Sequence, residues 1–192
     1  MMPGGHLATS LALSGVAYAA TGSIEASAGC FAGGFLIDVD HYLDYLFFER
    51  QWRKPSPVQF LRYYFSYSPK KLVLPLHSAE LMSFLFLIVL AHPWPLLVGY
   101  WVGALMHLTF DVLVNGEHAL RRPVLFYVFG YRIAKRFDAA ELMKASTDAK
   151  AGLAPIRDFF RWRPAQDDPV REPIPGAPEI QMPATQRRST SA

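Results

Sequence analysis

A single cysteine, Cys30, sits in a stretch of small apolar residues, which excludes an internal disulfide framework and a cysteine-rich zinc module. Lysine and arginine are absent from residues 1–49, and all 19 lie at or after Arg50. Charged residues make up only 18% of the chain against 52% hydrophobic, the reverse of what keeps a chain disordered. No solenoid-type repeat occurs, and the basic segments carry no nucleic-acid-binding motif, so nucleic acid is not an expected partner. Cations that are few and confined to particular segments point first to a membrane.

Four apolar stretches approach the roughly 20 residues that a bilayer-crossing helix needs: Leu7–Thr21, Ala26–Phe48, Leu72–Ala91 and Trp94–Val114. His92-Pro93-Trp94-Pro95 separates the last two, and Gly22-Ser23 the first two, as in tight helical hairpins. Residues 22–26 and 91–95 hold no Lys or Arg. Residues 49–71 hold Arg50, Arg53, Lys54, Arg62, Lys70 and Lys71, and residues 115–136 hold Arg121, Arg122, Arg132, Lys135 and Arg136. The positive-inside rule then puts both termini and both basic segments in the cytoplasm. A cleavable signal peptide is the competing reading of the N-terminus, because Ala17-Tyr18-Ala19 is a small-x-small site; the basic n-region that should precede it is missing.

The expected fold is therefore all-α, an integral-membrane four-helix bundle with interfacial helices and a disordered C-terminal tail. Residues 1–137 form the membrane-embedded domain. Within it, residues 55–71 and 123–137 mix aromatics with cations and read as interfacial segments. Residues 138–163 read as a peripheral helix, and the Pro-rich residues 164–192 as the disordered tail. The expected location is the cytoplasmic (inner) membrane of a bacterium or archaeon, with membrane lipid as a partner.

Within the spans stand Asp38, Asp40, Asp44, Glu80 and Asp111, with His41, His77 and His107; His6 opens the first span. A charged side chain at a helix centre costs about 2.5–3.5 kcal/mol on insertion scales, and such residues mark functional sites by default. Four antiparallel helices bring all of these residues to the cytoplasmic level. His107 and Asp111 are i,i+4, His77 and Glu80 i,i+3, Asp38 and His41 i,i+3, and Asp40 and Asp44 i,i+4, spacings that share a helix face. Helix bundles build metal sites from such inward pairs, and imidazole with carboxylate suits Zn first, then Mn or Fe, over Mg or Ca. The metal candidates are His6, Asp38, Asp40, His41, His77, Glu80, His107 and Asp111, with Glu80 or Asp38 as general base. Asp44, His92, His118 and Cys30 are expected to be structural or solvated, and Gly33-Gly34, Gly99 and Gly103 to let helices approach closely.

The order of motifs is Leu36-Ile37-Asp38-Val39-Asp40-His41, Leu76-His77-Ser78-Ala79-Glu80, then Gly103-x-x-x-His107-x-x-x-Asp111 with Asn115-Gly116 and Pro123 following. Over about residues 1–130 this resembles the YdjM-like family of inner-membrane metal-dependent hydrolases, some of the LexA-regulated type. The resemblance implies His6, Asp38, Asp40, His41, His77, His107 and Asp111 as metal ligands. The family often has Leu-Pro-Asp at residues 36–38 and His-Arg-Gly with a second His at the third motif. Here Glu80 takes the place of that second His as substitute ligand or base. The function expected is hydrolysis of a phosphoester or lipid-linked substrate. The alternatives are a non-enzymatic metal-binding or transport membrane protein, a haem protein with His77 and His107 as axial ligands, and a polar cluster that only fixes helix packing.

Overall fold

The computed structural model describes residues 3–53, 55–65, 69–144 and 159; among these all regular structure is helical, with two isolated β-bridges joining Lys71 to Asp138 and Leu120 to Met143. The all-α expectation holds. Helix α1 (Pro3–Thr21) ends at Gly22, whose φ of 67° supplies the left-handed C′ position. Ser23 then caps α2 (Ile24–Phe35), its hydroxyl accepting from the Ala26 amide at 3.1 Å. The stretch expected to run unbroken from Ala26 to Phe48 is interrupted by a 3-10 turn at Leu36–Asp38 before α3 (Val39–Phe48). Helix α4 (Pro57–Phe65) follows, and from Pro69 to Leu74 the chain is extended or irregular apart from the bridge at Lys71.

Helix α5 (Ala79–Ala91) starts seven residues later than expected. The reason is Leu74, at φ 44°, followed by Pro75 and a 3-10 turn at Pro75–His77; neither conformation continues into an α-helix. Pro95 sits in the first turn of α6 (Pro95–Phe110), which continues as a π-helical turn at Asp111–Asn115. The stretch Pro95–Val114 is the one described helix long and apolar enough to cross a membrane, and Ala79–Ala91 is a shorter apolar helix.

The last third corrects another expectation. Residues 123–137 do not form a peripheral interfacial helix but two short ones, α8 (Pro123–Phe126) and α9 (Phe129–Ala134), that fold inward and bury Phe126, Tyr127 and Arg132. Between α6 and α8 lies the four-residue α7 (Gly116–Ala119), and α10 (Ala139–Leu142) begins at Asp138, whose carboxylate accepts from the Ala140 amide. Apart from α10 and its surroundings to Lys144, and Phe159, the expected peripheral helix and the whole tail of residues 164–192 lie outside the described residues.

Helices α2 and α6 run parallel and nearly backbone to backbone. A Cβ on Gly33 would overlap the Tyr100 carbonyl and lie 2.8 Å from the Ala104 amide nitrogen; one on Gly103 would overlap the Cys30 carbonyl. The two Gly-x-x-x-Gly steps, Gly29 to Gly33 and Gly99 to Gly103, thus form the small-residue seam expected of closely approaching helices. Helix α1 lies antiparallel on α2, joined by the Ser27 hydroxyl donating to the Ser14 carbonyl at 2.9 Å. Beyond the seam a core of Ile37, Leu74, Leu108, Leu120, Phe126 and Leu142 is built from sequence neighbours of the polar residues.

Candidate metal centre

The seam fixes His107. Where α2 gives way to its 3-10 turn, terminal carbonyls lose their intrahelical donors, and His107 Nδ1 donates to the Gly34 carbonyl at 2.8 Å. A carbonyl only accepts, so Nδ1 carries a proton and Nε2 is the nitrogen turned to the cluster. One turn on, Asp111 opens the π-turn and points Oδ2 back to 3.3 Å from His107 Nε2. Such π-turns recur at functional sites.

His77 is held from three sides. Its Nδ1 donates to Asp40 Oδ2 at 3.0 Å, and the same oxygen accepts from the Leu76 amide at 3.0 Å. Behind it, Leu74 adopts the left-handed conformation rare for a bulky residue. Asp44 Oδ2 accepts from the amides of Val73 and Leu74, while the fully buried Arg132 donates to the carbonyls of Leu74 (2.8 Å) and His77 (2.9 Å). Backbone strain of this kind persists only where the surroundings over-determine it. Arg132 lies over the rings of Phe126 and Phe129, and burial lowers its pKa from the ordinary guanidinium value, opposed by Asp40, Glu80 and Asp44.

With Nδ1 occupied, His77 too presents Nε2, 3.2 Å from His107 Nε2. Asp38 Oδ1 lies 3.5 Å from His77 Nε2 and 3.4 Å from His107 Nε2, and Asp111 Oδ2 lies 3.9 Å from His77 Nε2. Ligand atoms about 2.0–2.1 Å from a zinc ion at tetrahedral angles are about 3.3 Å apart. The two imidazole nitrogens lie 3.2 Å apart with each carboxylate oxygen 3.3–3.9 Å from them, close to the edges of a zinc coordination shell, and each histidine has the outer partner, carboxylate or carbonyl, that metal-binding histidines have. The donor set fits a divalent ion. It does not fit haem, because two Nε2 atoms this close leave no slot for a porphyrin.

Two His/Asp groups that could hold a metal meet here, His6 with His107 and Asp111, and Asp38 with His41 and His77. His6 stacks on His107 with ring centroids 3.7 Å apart, and its Nε2 lies 3.0 Å from Asp111 Oδ1, which leaves Oδ2 turned to the other ligands; its buried Nδ1 has no partner among the described residues. His41 stands at the open side, Nε2 3.8 Å from Asp38 Oδ1. Asp40 backs His77 rather than facing the other ligand atoms. Asp44 secures the backbone at Val73 and Leu74.

Glu80 is the residue that the structure removes from the cluster. It is exposed, and its two oxygens accept from the amides of Phe129 and Gly130 at 2.8 and 3.0 Å, capping α9. The i,i+3 spacing misleads here because His77 precedes α5 instead of belonging to it.

Beside the cluster lies a cavity of about 100 Å³. His41, His77 and Asp111 line one part of it, Asp44 and Lys71 another, and six aromatic side chains the walls. Tyr127 is one of these; burial and the charge of Asp111 hold its phenol well above the ordinary tyrosine pKa. Sequence reasoning singled out neither Arg132 nor Tyr127. Arg132 looks like one more topological cation beside Lys135 and Arg136, and no sequence signal separates it from them.

Comparison of the chain with protein families, curated proteins and solved structures finds no match.

Proposed function

We propose that this protein is a membrane-embedded, metal-dependent hydrolase of the YdjM-like type that cleaves a phosphoester. The observation that carries the reading is the convergence of His77 Nε2, His107 Nε2, Asp38 Oδ1 and Asp111 Oδ2 at 3.2–3.9 Å, with both imidazoles already tautomer-locked from behind.

His77 and His107 would hold the ion through Nε2, and Asp38 and Asp111 through the oxygens that face them. A divalent ion held there, zinc for this ligand mixture, would supply a water of pKa near about 7 and a Lewis acid for a phosphoryl oxygen. His41, which lines the cavity with Nε2 3.8 Å from Asp38 Oδ1, would take up a proton at Nε2 as general base, and Asp38 would stabilise the imidazolium. Asp40 and the Gly34 carbonyl keep the two ligand rings oriented, and His6 does the same for Asp111.

Membrane embedding is supported by large apolar side chains left facing outward on several helices, among them Val16, Ile24, Leu87, Leu90 and Leu113, the last 71% exposed. Scattered exposed residues are ordinary, but outward-facing apolar rows on helices as hydrophobic as α5 and α6 suit a lipid solvent. By the positive-inside rule, the cationic segments 49–71 and 115–136 support a centre on the cytoplasmic side.

The test is elemental analysis of protein purified in maltoside without a chelating tag, beside the His107→Ala/Asp111→Ala double variant, followed by hydrolysis assays with phosphomonoesters and phosphodiesters. The expected result is near-stoichiometric zinc in the wild type, lost in the variant, with turnover that follows the metal. A folded wild type that takes up no metal on reconstitution would leave the cluster as a packing device.

A further inference from the structure

The cavity beside the cluster has an unusual combination of walls. Tyr45, Phe60, Tyr63 and Tyr64 form one, with ring centroids 5.0 Å apart for Tyr45 and Tyr63 and 5.8 Å for Phe60 and Tyr64. Phe126 and Tyr127 supply further rings, 5.2 Å apart and edge to face. Tyr64 is edge-on to His41, which joins the aromatic wall to the polar cluster.

The charges are as telling as the rings. Asp44 lines the cavity; its Oδ2 takes two backbone amides, and Oδ1 has no hydrogen-bond partner among the described residues. The cation in the wall, Lys71, has its ammonium tied to the Arg136 carbonyl at 2.9 Å and lies 3.7 Å from Asp138 Oδ2. An anionic group inside the cavity would meet the repulsive Asp44 carboxylate among aromatic walls. A cationic group meets attraction from both, since an ammonium over ring faces in a desolvated site is held by the ring quadrupoles. A phosphoryl group, conversely, belongs at the neighbouring metal centre.

We propose that this cavity binds an ammonium group, so that the substrate is a zwitterionic phosphoester carrying a quaternary or primary ammonium next to its phosphate. The phosphate half of the proposal rests on the hydrolase reading; the ammonium half rests on the cavity alone. A lipid headgroup and a soluble phosphocholine or phosphoethanolamine compound share this chemistry.

The experiment is calorimetric titration of the full chain in maltoside, metal-free and zinc-loaded, with choline, inorganic phosphate, phosphocholine and phenyl phosphate. Zinc-loaded protein is expected to bind phosphocholine about tenfold more tightly than inorganic phosphate. Phe60→Leu and Asp44→Asn are each expected to erase that preference, and Phe60→Leu, which lies outside the support of His77, to leave phosphate affinity and zinc content unchanged. The asparagine keeps an oxygen for the amides of Val73 and Leu74, and Phe60→Leu touches no polar contact. Equal binding of phosphate and phosphocholine by the wild type would overturn the proposal, as would phenyl phosphate matching phosphocholine or a preference that survives both variants. Choline binding to the metal-free protein that both variants abolish upholds the ammonium site even if phosphate fails to bind the zinc-loaded protein, in which case only the hydrolase reading falls. Glycerophosphocholine against phosphatidylcholine in the same micelles separates the two sources, the tighter binder naming the natural one.

Discussion

Asp40 offers the sharpest separation of ligand from support. A single oxygen, Oδ2, accepts from both the Leu76 amide and His77 Nδ1, while Oδ1 is buried without a partner among the described residues. Asparagine can place its carbonyl oxygen where Oδ2 lies and keep both bonds, so Asp40→Asn removes the charge behind His77 and little else. Outer partners of metal-binding histidines are worth about 10–100-fold in affinity, and with both bonds kept the loss should fall near tenfold, about 1.4 kcal/mol. Asp40→Ala strips both donors. Each unsatisfied buried donor costs about 1–3 kcal/mol, so this variant should lose about 2–6 kcal/mol of stability and about 100-fold in zinc affinity. Competition against a chromogenic zinc chelator gives the affinities, and thermal unfolding followed by circular dichroism the stabilities. Wild-type zinc affinity in both variants would show that Asp40 does not hold His77. Loss of zinc in Asp40→Asn as complete as in His77→Ala would make Asp40 itself a ligand.

Gly33→Ala should destabilise the protein by about 1–3 kcal/mol, the range for overpacking, because the added carbon meets backbone of α6 at Tyr100 and Ala104. Gly15→Ala, with nothing within 4 Å of the new carbon, should be neutral or stabilising in the same melts. Glu80→Gln should leave zinc content unchanged and lower the melting temperature by a few degrees through the weakened cap on α9; zinc loss matching His77→Ala would return Glu80 to the centre.

Much of the site was legible because side-chain chemistry and depth suffice to gather it. Asp38 follows α2, His77 directly precedes α5, and His107 and Asp111 stand where α6 gives way to its π-turn, so packing of these helices brings their ends together. Roles were less legible than membership. Whether Asp40 touches a metal or a histidine depends on a 3-10 turn and one left-handed residue, Leu74, neither visible in hydrophobic periodicity. Glu80 was misplaced for the same reason, since a helical spacing was applied across a helix start. The Gly34 carbonyl that orients His107 is backbone, and no residue-type pattern announces it. In the fold, the helical class and the glycine seam followed from composition and spacing. The break at Leu36–Asp38 did not, because apolar residues run through it.

The two donor bonds of Arg132 also set a schedule for biosynthesis. His6 and Asp111 meet across a sequence separation of 105, and the carbonyls of Leu74 and His77 are gripped from α9, more than 50 residues further along the chain. A chain emerging from the ribosome passes through a long interval in which several chelating side chains exist but their scaffold does not. The assembled centre is thus a product of the finished fold, and any ion captured earlier meets loose, exchangeable ligands. On the metal-binding reading, selection of the ion would fall to the completed protein, after the last short helices have closed over the turn that carries His77.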